Sequence, residues 1–262
     1  MVRTLSALLI QCLSFGLVGA SCLMSSLSAA EDLATIQRRG YLVVAVKENL
    51  RPLGFRDREG QLQGFEIEIA RRLAQELLGK PDAIVFQPSL NQDRLSLVLN
   101  GKADLTIARL TQTDARARVV SFSIPYYLDG TALVTRNPAI RKPADIGQGK
   151  VAVLNGSSTI ETLRYRLPQA TLVGVDSYQA AKDLLDSGQA IGFAADASVL
   201  AGWVQEFPQY RLLLPTLSVE PLSIVMPKGL QYTELQQRVN QILRRWQEED
   251  WLKQRAAYWG LP

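Results

Sequence analysis

A chain of 262 residues with 29 basic and 25 acidic side chains carries a formal net charge of +4, with the two signs interspersed, so nothing marks a nucleic-acid surface. It has no histidine, which excludes histidine-based hydrolytic triads and metal sites. Both cysteines, Cys12 and Cys22, lie near the N-terminus, so no disulfide framework is expected beyond them. In chain order, Arg3, an apolar run from Leu5 to Met24, and Ser28-Ala29-Ala30 ahead of Glu31-Asp32 have the layout of a secretory signal over 1–30, cleaved after Ala30. A single membrane anchor is the alternative, but Ser14, Gly16, Gly19, Ala20 and Ser21 dilute the apolar run below what a bilayer span requires. Cleavage leaves a thiol-free chain of net charge +3, suited to an oxidising, extracytoplasmic compartment. No later segment is long and apolar enough to cross a bilayer.

Tyr41–Val46 is a continuous β-rich run, the pattern of a strand buried on both faces. Turn residues around Arg51-Pro52-Leu53-Gly54 and Asp57-Arg58-Glu59-Gly60 separate it from a helix in which Ile69, Leu73 and Leu77 share one face and Gly79 is the stop. Further strands are predicted at Ala83–Phe86, Asp104–Ala108, Lys150–Leu154, Ile191–Ala195 and Leu222–Met226, with helical stretches between most of them. That alternation predicts an α/β fold with largely parallel sheets. Two extended segments, Gly130–Thr135 and Val219–Pro227, break the series, and the final helices run from Leu230 to Tyr258. Two crossings imply a second lobe inserted into the first, with lobe 1 over 31–128 plus 225–262 and lobe 2 over 129–224. A crevice between such lobes, at the carboxyl ends of parallel strands, is where α/β proteins bind small ligands.

The segment Thr111-Gln-Thr113-Asp-Ala-Arg116 carries the most chemistry. Thr113 is a candidate N-cap, and Arg116 in the first turn with the Thr111 hydroxyl before it makes an anion site suited to a carboxylate. The planar two-pronged guanidinium matches a carboxylate in a way that a lysine does not. On these residues alone, an arginine beside an ordinary surface helix cap is an equally good description.

Gly64-Phe-Glu-Ile-Glu-Ile-Ala70, Gly101-Lys-Ala-Asp104-Leu, Thr111-x-Thr113-x-x-Arg116, Phe122-Ser123-x-Pro125-Tyr126-Tyr127, Val153-Leu-Asn-Gly156-Ser-Ser158 and Ala195-Asp196 occur together and in order. In that combination the chain resembles the polar amino-acid-binding proteins of ABC transporters, bacterial solute-binding protein family 3. The resemblance implies a type II-like clamshell that captures a free amino acid and delivers it to a membrane permease of an ABC importer, as a monomer and without cofactor or metal. It implies that Arg116 and Thr111 bind the ligand's α-carboxylate, with Ser158 and its neighbour Ser157 adding to it from the second lobe. Asp196 and the backbone carbonyl of Arg109 would accept from the α-ammonium. A capping box, Ser158-x-x-Glu161, is the structural alternative for Ser158 and is compatible with the binding role. A lipid anchor at Cys22 is the weaker alternative to cleavage, since Gly19 stands where such signals usually carry Leu.

The chain departs from the family around the ligand side chain. Lys47 replaces a common acid, Leu50 a common aromatic, and Arg109 a common Gly or Ser. If Lys47 or Arg109 points into the cleft, cationic ligands are disfavoured and an acidic or amide side chain, as in glutamate, aspartate or glutamine, is favoured; if both face solvent, they carry no such bias. Two other uses of the fold remain to be weighed. One is a cleft enzyme resembling cyclohexadienyl or arogenate dehydratases, for which Glu48 is a candidate acid. The other is an amino-acid-sensing receptor module.

Overall fold

The computed structural model describes residues 32–262. The expectations for the signal segment, its cleavage after Ala30 and the Cys22 anchor lie outside these residues. The chain runs through α1 (Leu33–Arg39), β1 (Leu42–Val46), β2 (Asn49–Leu50), β3 (Gly54–Arg56), β4 (Leu62–Gln63), α2 (Phe65–Leu78), β5 (Ile84–Pro88), α3 (Arg94–Leu99), β6 (Leu105–Ile107), α4 (Asp114–Ala117) and β7 (Ser121–Asp129). It then crosses to β8 (Thr131–Thr135), β9 (Lys150–Leu154), α5 (Thr159–Arg166), β10 (Thr171–Val175), α6 (Tyr178–Asp186), β11 (Gly192–Asp196), α7 (Ala197–Glu206) and β12 (Arg211–Leu213). It returns through β13 (Glu220–Met226) and ends in α8 (Thr233–Glu248) and α9 (Trp251–Tyr258).

Two five-stranded sheets form the two lobes, in the orders β5-β1-β6-β13-β7 and β10-β9-β11-β8-β12, with β2, β3 and β4 as a small separate sheet. The largely parallel arrangement expected from the alternation is present with one reversed strand per sheet, β13 in the first and β8 in the second. The reversal has a simple cause. A strand that arrives across a crossing starts at the cleft and runs away from it, whereas the others run toward it.

Alternation along the strands shows why the central runs are apolar throughout. In β9, Val151 and Val153 join one buried cluster with Leu133 and Ala194, while Ala152 joins another with Val134, Phe193 and Ala195. Both faces of that sheet are therefore covered, as a parallel sheet requires. In the first lobe Leu42, Val44 and Val46 pack with Ile69, Leu73 and Leu77 of α2 and with Trp246 of α8, while Ala45 faces Leu97 and Val98 of α3. Gly79 ends α2 in the left-handed conformation at φ 77°, its N–H bonded to the Gln75 carbonyl.

The two crossings are bonded to each other. Glu220 pairs with Asp129, the Leu217 N–H donates to the Thr131 carbonyl at 2.6 Å, and the Thr131 N–H donates to the Ser218 hydroxyl at 2.8 Å. Gly130 is required there, because a Cβ at that position would stand 2.0 Å from the Ser218 carbonyl oxygen. Asp129, buried, accepts from the Gly130 and Ser198 N–H groups at 2.9 and 3.0 Å and ties the crossing to the start of α7. The expected boundary between 224 and 225 falls inside β13, which pairs with β7 from Glu220 onward.

Candidate ligand site between the lobes

On the first-lobe side, the parallel register Val46↔Ile107 makes Lys47 and Ala108-Arg109 leave the sheet side by side at its carboxyl edge. Lys47 is buried rather than solvent-facing, and its ammonium donates to the Ser89 carbonyl at 3.1 Å. Burial, then the nearby Arg94 and Arg109 guanidiniums, lower its pKa. Arg94 reaches the same place from α3, and it too is buried. One Nη1 donates to the Ala108 and Arg109 carbonyls, both at 2.8 Å, and Nε to the Asn91 carbonyl at 3.1 Å. Burial, with Arg109 and Arg116 close by, pushes it down to about 10.

Beneath Arg109 lies Glu66, wholly buried in the first turn of α2. Its Oε1 accepts from the Arg109 N–H at 2.7 Å and from the Tyr126 hydroxyl at 2.5 Å, and its Oε2 has no hydrogen-bond partner among the described residues. Burial drives this carboxyl's pKa up, against the pull of Tyr126 and Arg109. Arg109 itself stands at φ 49°, a left-handed conformation that glycine adopts without strain and arginine does not. Its side chain crosses the cleft, where the guanidinium Nη1 forms an ion pair with Oδ2 of Asp196. The Arg109 Nε is buried with no hydrogen-bond partner among the described residues.

Arg116 is half-buried, and its Nη1 donates to the Thr111 carbonyl at 2.8 Å. The Thr113 hydroxyl accepts from the Arg116 N–H at 3.3 Å, so the predicted N-cap forms. Because α4 is a single turn of four residues, its dipole is small, and any anion held here is held chiefly by the guanidinium. Among the described residues no carboxylate lies within ion-pair distance of Arg116.

On the second-lobe side, β9 and β11 run parallel in register, so Asp196 and the Gly156-Ser157-Ser158 turn lie at one carboxyl edge. The capping box at Ser158 does not form: Ser158 is helical at φ −59° and makes no cap bond, and the Ser157 hydroxyl accepts instead from the Thr159 N–H at 3.2 Å. A cap must have extended backbone to aim its oxygen at the free N–H groups, which a helical residue cannot do. The exposed Ser158 hydroxyl is thereby left out of the cap. Tyr178, the first residue of α6, packs edge-on against Phe193 and stands near enough to Arg109 for that charge to oppose the rise that burial imposes on its phenol. Leu50 lines a cavity of about 360 Å³ between β2 of the first lobe and helices α6 and α7 of the second, with Tyr178 and Trp203 among its walls.

Of the residues anticipated from sequence, Lys47 lies near Arg109, Arg109 is paired with Asp196, and Arg116 is bonded to Thr111. Ser157 and Ser158 share an edge with Asp196. Arg94 and Glu66 were not anticipated, though each left a mark. Arg94 is the one cation in Arg94–Leu99, and Glu66 sits three residues before Ile69 on the apolar face of α2.

Known proteins bear on this arrangement. Residues 42–262 match the bacterial extracellular solute-binding proteins, family 3. The chain belongs to that family. This solute-binding protein is 29% identical over 237 residues to the ABC transporter glutamine-binding protein GlnH of Bacillus subtilis, covering 85% of this chain and 87% of the relative. It is 32% identical over 200 residues to a glutamine-binding protein of Geobacillus stearothermophilus, covering 75% and 76%. A glutamate/aspartate import solute-binding protein of Salmonella typhimurium is 28% identical over 207 residues, covering 75% and 68%. Among solved structures, an ancestral cationic amino acid solute-binding protein superposes with a TM-score of 0.74 at 27% identity, covering 87% of this chain and 99% of that one. A related ancestral amino acid-binding protein, described as a precursor of cyclohexadienyl dehydratase, gives 0.66 at 27% identity, covering 87% and 98%. The fold is therefore the two-lobed clamshell of these binding proteins.

Proposed function

We propose that this solute-binding protein captures a free amino acid between its lobes, outside the cytoplasm, and delivers it to the membrane permease of an ABC importer. The observation that carries the reading is the pairing of opposites across the cleft: a cation-rich shelf of Lys47, Arg94, Arg109 and Arg116 on one lobe, and Asp196 on the facing edge of the other. A zwitterion laid between them puts its carboxylate on Arg116 and the Thr111 hydroxyl, with Ser157 and Ser158 closing over it, and its ammonium on Asp196. The relatives that bind glutamine, glutamate or aspartate support a ligand of that size and polarity.

The lobes part at the bonded crossings, near Gly130 and Ser218, and closure is a hinge rotation there. The protein acts as a monomer after removal of residues 1–30. Binding rather than catalysis is favoured because Glu48, the candidate acid for a dehydratase, is half-exposed and ion-paired to Arg56 at 2.8 Å. A screen of the common amino acids by thermal stabilisation tests the reading, since a ligand bound only by the folded state at a hundred times its Kd adds about 2.7 kcal/mol. Glutamate, aspartate or glutamine is expected to raise Tm by several degrees, and the Arg116→Ala variant is expected to lose that rise. A flat response to every amino acid would refute it.

A further inference from the structure

Both groups expected to accept the ligand's ammonium already hold a guanidinium. Asp196 is paired with Arg109, and the Arg109 carbonyl accepts from Arg94. Arg109 therefore occupies, as a tethered part of the chain, the place that the ligand's positive charge is to take. We infer that binding is an exchange: the ligand's ammonium displaces Arg109 from Asp196, and the released Arg109 guanidinium takes a second carboxylate on the ligand, which makes Arg109 the selector for dicarboxylic amino acids. The inference rests on the amino-acid-capture reading and names the ligand class of that same site.

The charges around Arg109 enforce the second half of the exchange. Once released, it stands among cations, with Lys47 and Arg94 near it and Arg116 near Arg94, and the acids near this group among the described first-lobe residues are Glu66 and, beside Lys47, Asp93. Glu66 is wholly buried and is fixed through Oε1 to the backbone of Arg109 and to Tyr126, so it does not follow a guanidinium that moves within the cleft. Tyr178, the neighbour on the second lobe, is a neutral phenol at physiological pH. A half-buried cation deprived of its partner is costly, and an incoming anion removes that cost. A zwitterion with a neutral side chain replaces Arg109 at Asp196 but leaves the guanidinium unpaired. A cationic side chain adds repulsion to the same defect. A dicarboxylate without an ammonium leaves Asp196 without a cation if Arg109 is drawn away. Only a ligand with one ammonium and two carboxylates satisfies Asp196, Arg116 and Arg109 together.

The backbone makes the test clean. Arg109 holds a left-handed conformation that glycine prefers, so Arg109→Gly removes the tethered cation without straining the fold. Calorimetric titration of the wild-type protein and Arg109→Gly with glutamate, glutamine, aspartate, asparagine and glutarate reads the exchange. In the wild type, at least one acid is expected to bind at least tenfold tighter than its amide, and glutarate at least a hundredfold more weakly than glutamate. In Arg109→Gly the acid-over-amide ratio is expected to fall to within about threefold of one, chiefly because the amide binds more tightly. An unchanged ratio in Arg109→Gly, or wild-type glutarate binding as tight as glutamate, would overturn the exchange while leaving amino-acid capture standing. Binding of none of the amino acids to either protein would remove both.

Discussion

The hinge and the cleft are built by opposite means. At the hinge, backbone meets backbone: the Leu217 N–H to Thr131, Asp129 held by two N–H groups, and Gly130 pressed against the Ser218 carbonyl leave no room for a side chain. In the cleft, first-lobe and second-lobe groups meet through long side chains, and the Arg109–Asp196 pair joins them at their tips. Backbone packing fixes one geometry, whereas an ion pair between mobile tips can be exchanged for another ion. The hinge should therefore resist substitution, and the cleft should accept it with a change in ligand rather than in fold.

Substitutions in each region sharpen the contrast. The largest effect is expected from Gly130→Val, whose Cβ would overlap the Ser218 carbonyl: a loss of at least about 3 kcal/mol in chemical denaturation. Asp129→Ala strips the acceptor from the Gly130 and Ser198 N–H groups in a buried place, and a loss of about 2–3 kcal/mol is expected by the same measurement. Arg109→Gly, although it deletes an interlobe ion pair, is expected to stay within about 1 kcal/mol of the wild type, because relief of the left-handed backbone offsets the lost pair. A destabilisation by Arg109→Gly as large as that by Gly130→Val would erase the distinction.

The smallest effect is one of pH. Lys47 is held below its usual pKa of 10.5, chiefly by burial, and Arg94 is pushed down to about 10, so the folded protein releases these protons earlier than the unfolded chain does. The Arg94 charge is complete at neutral pH and is lost as pH rises through about 10, and Lys47 loses its charge below its ordinary range, so anions lose attraction on the alkaline side. Affinity for an acidic amino acid is expected to be level between pH 6 and 8 and to weaken several-fold approaching pH 10, in calorimetric titrations across that range. A steeper fall between pH 6 and 8 would assign the dependence to other groups.

Most of the strand framework was legible because the strands are buried on both faces and read as unbroken apolar runs, as in Lys150–Leu154. The strand Thr171–Val175 was not, since Leu172 and Val173 are only half-buried at the sheet's edge and Gly174 interrupts the pattern. The three-stranded sheet of β2, β3 and β4 is made of segments two or three residues long, too short for any periodicity. At the site, Asp196 could be found from its position at a strand end, but its partner could not, because the reach of Arg109 across the cleft depends on lobe placement. Sequence drew attention both to the carbonyl of Arg109 and to its side chain as a cation that could enter the cleft. In the structure that carbonyl accepts from Arg94 and the side chain reaches Asp196. At the start of α5 the Ser157 hydroxyl, rather than that of Ser158, accepts from a backbone N–H, because Ser158 already has helical backbone.

The central claim is that an amino acid lies between the lobes with its carboxylate on Arg116 and its ammonium on Asp196. Calorimetric titration of the amino acid identified by the screen into wild type, Arg116→Ala and Asp196→Asn tests it most directly. Each substitution unpairs one end of a buried zwitterion, so a loss of about 3–5 kcal/mol, a hundredfold or more in Kd, is expected from both. Retention of wild-type affinity by either variant, in protein that remains folded, would contradict the account.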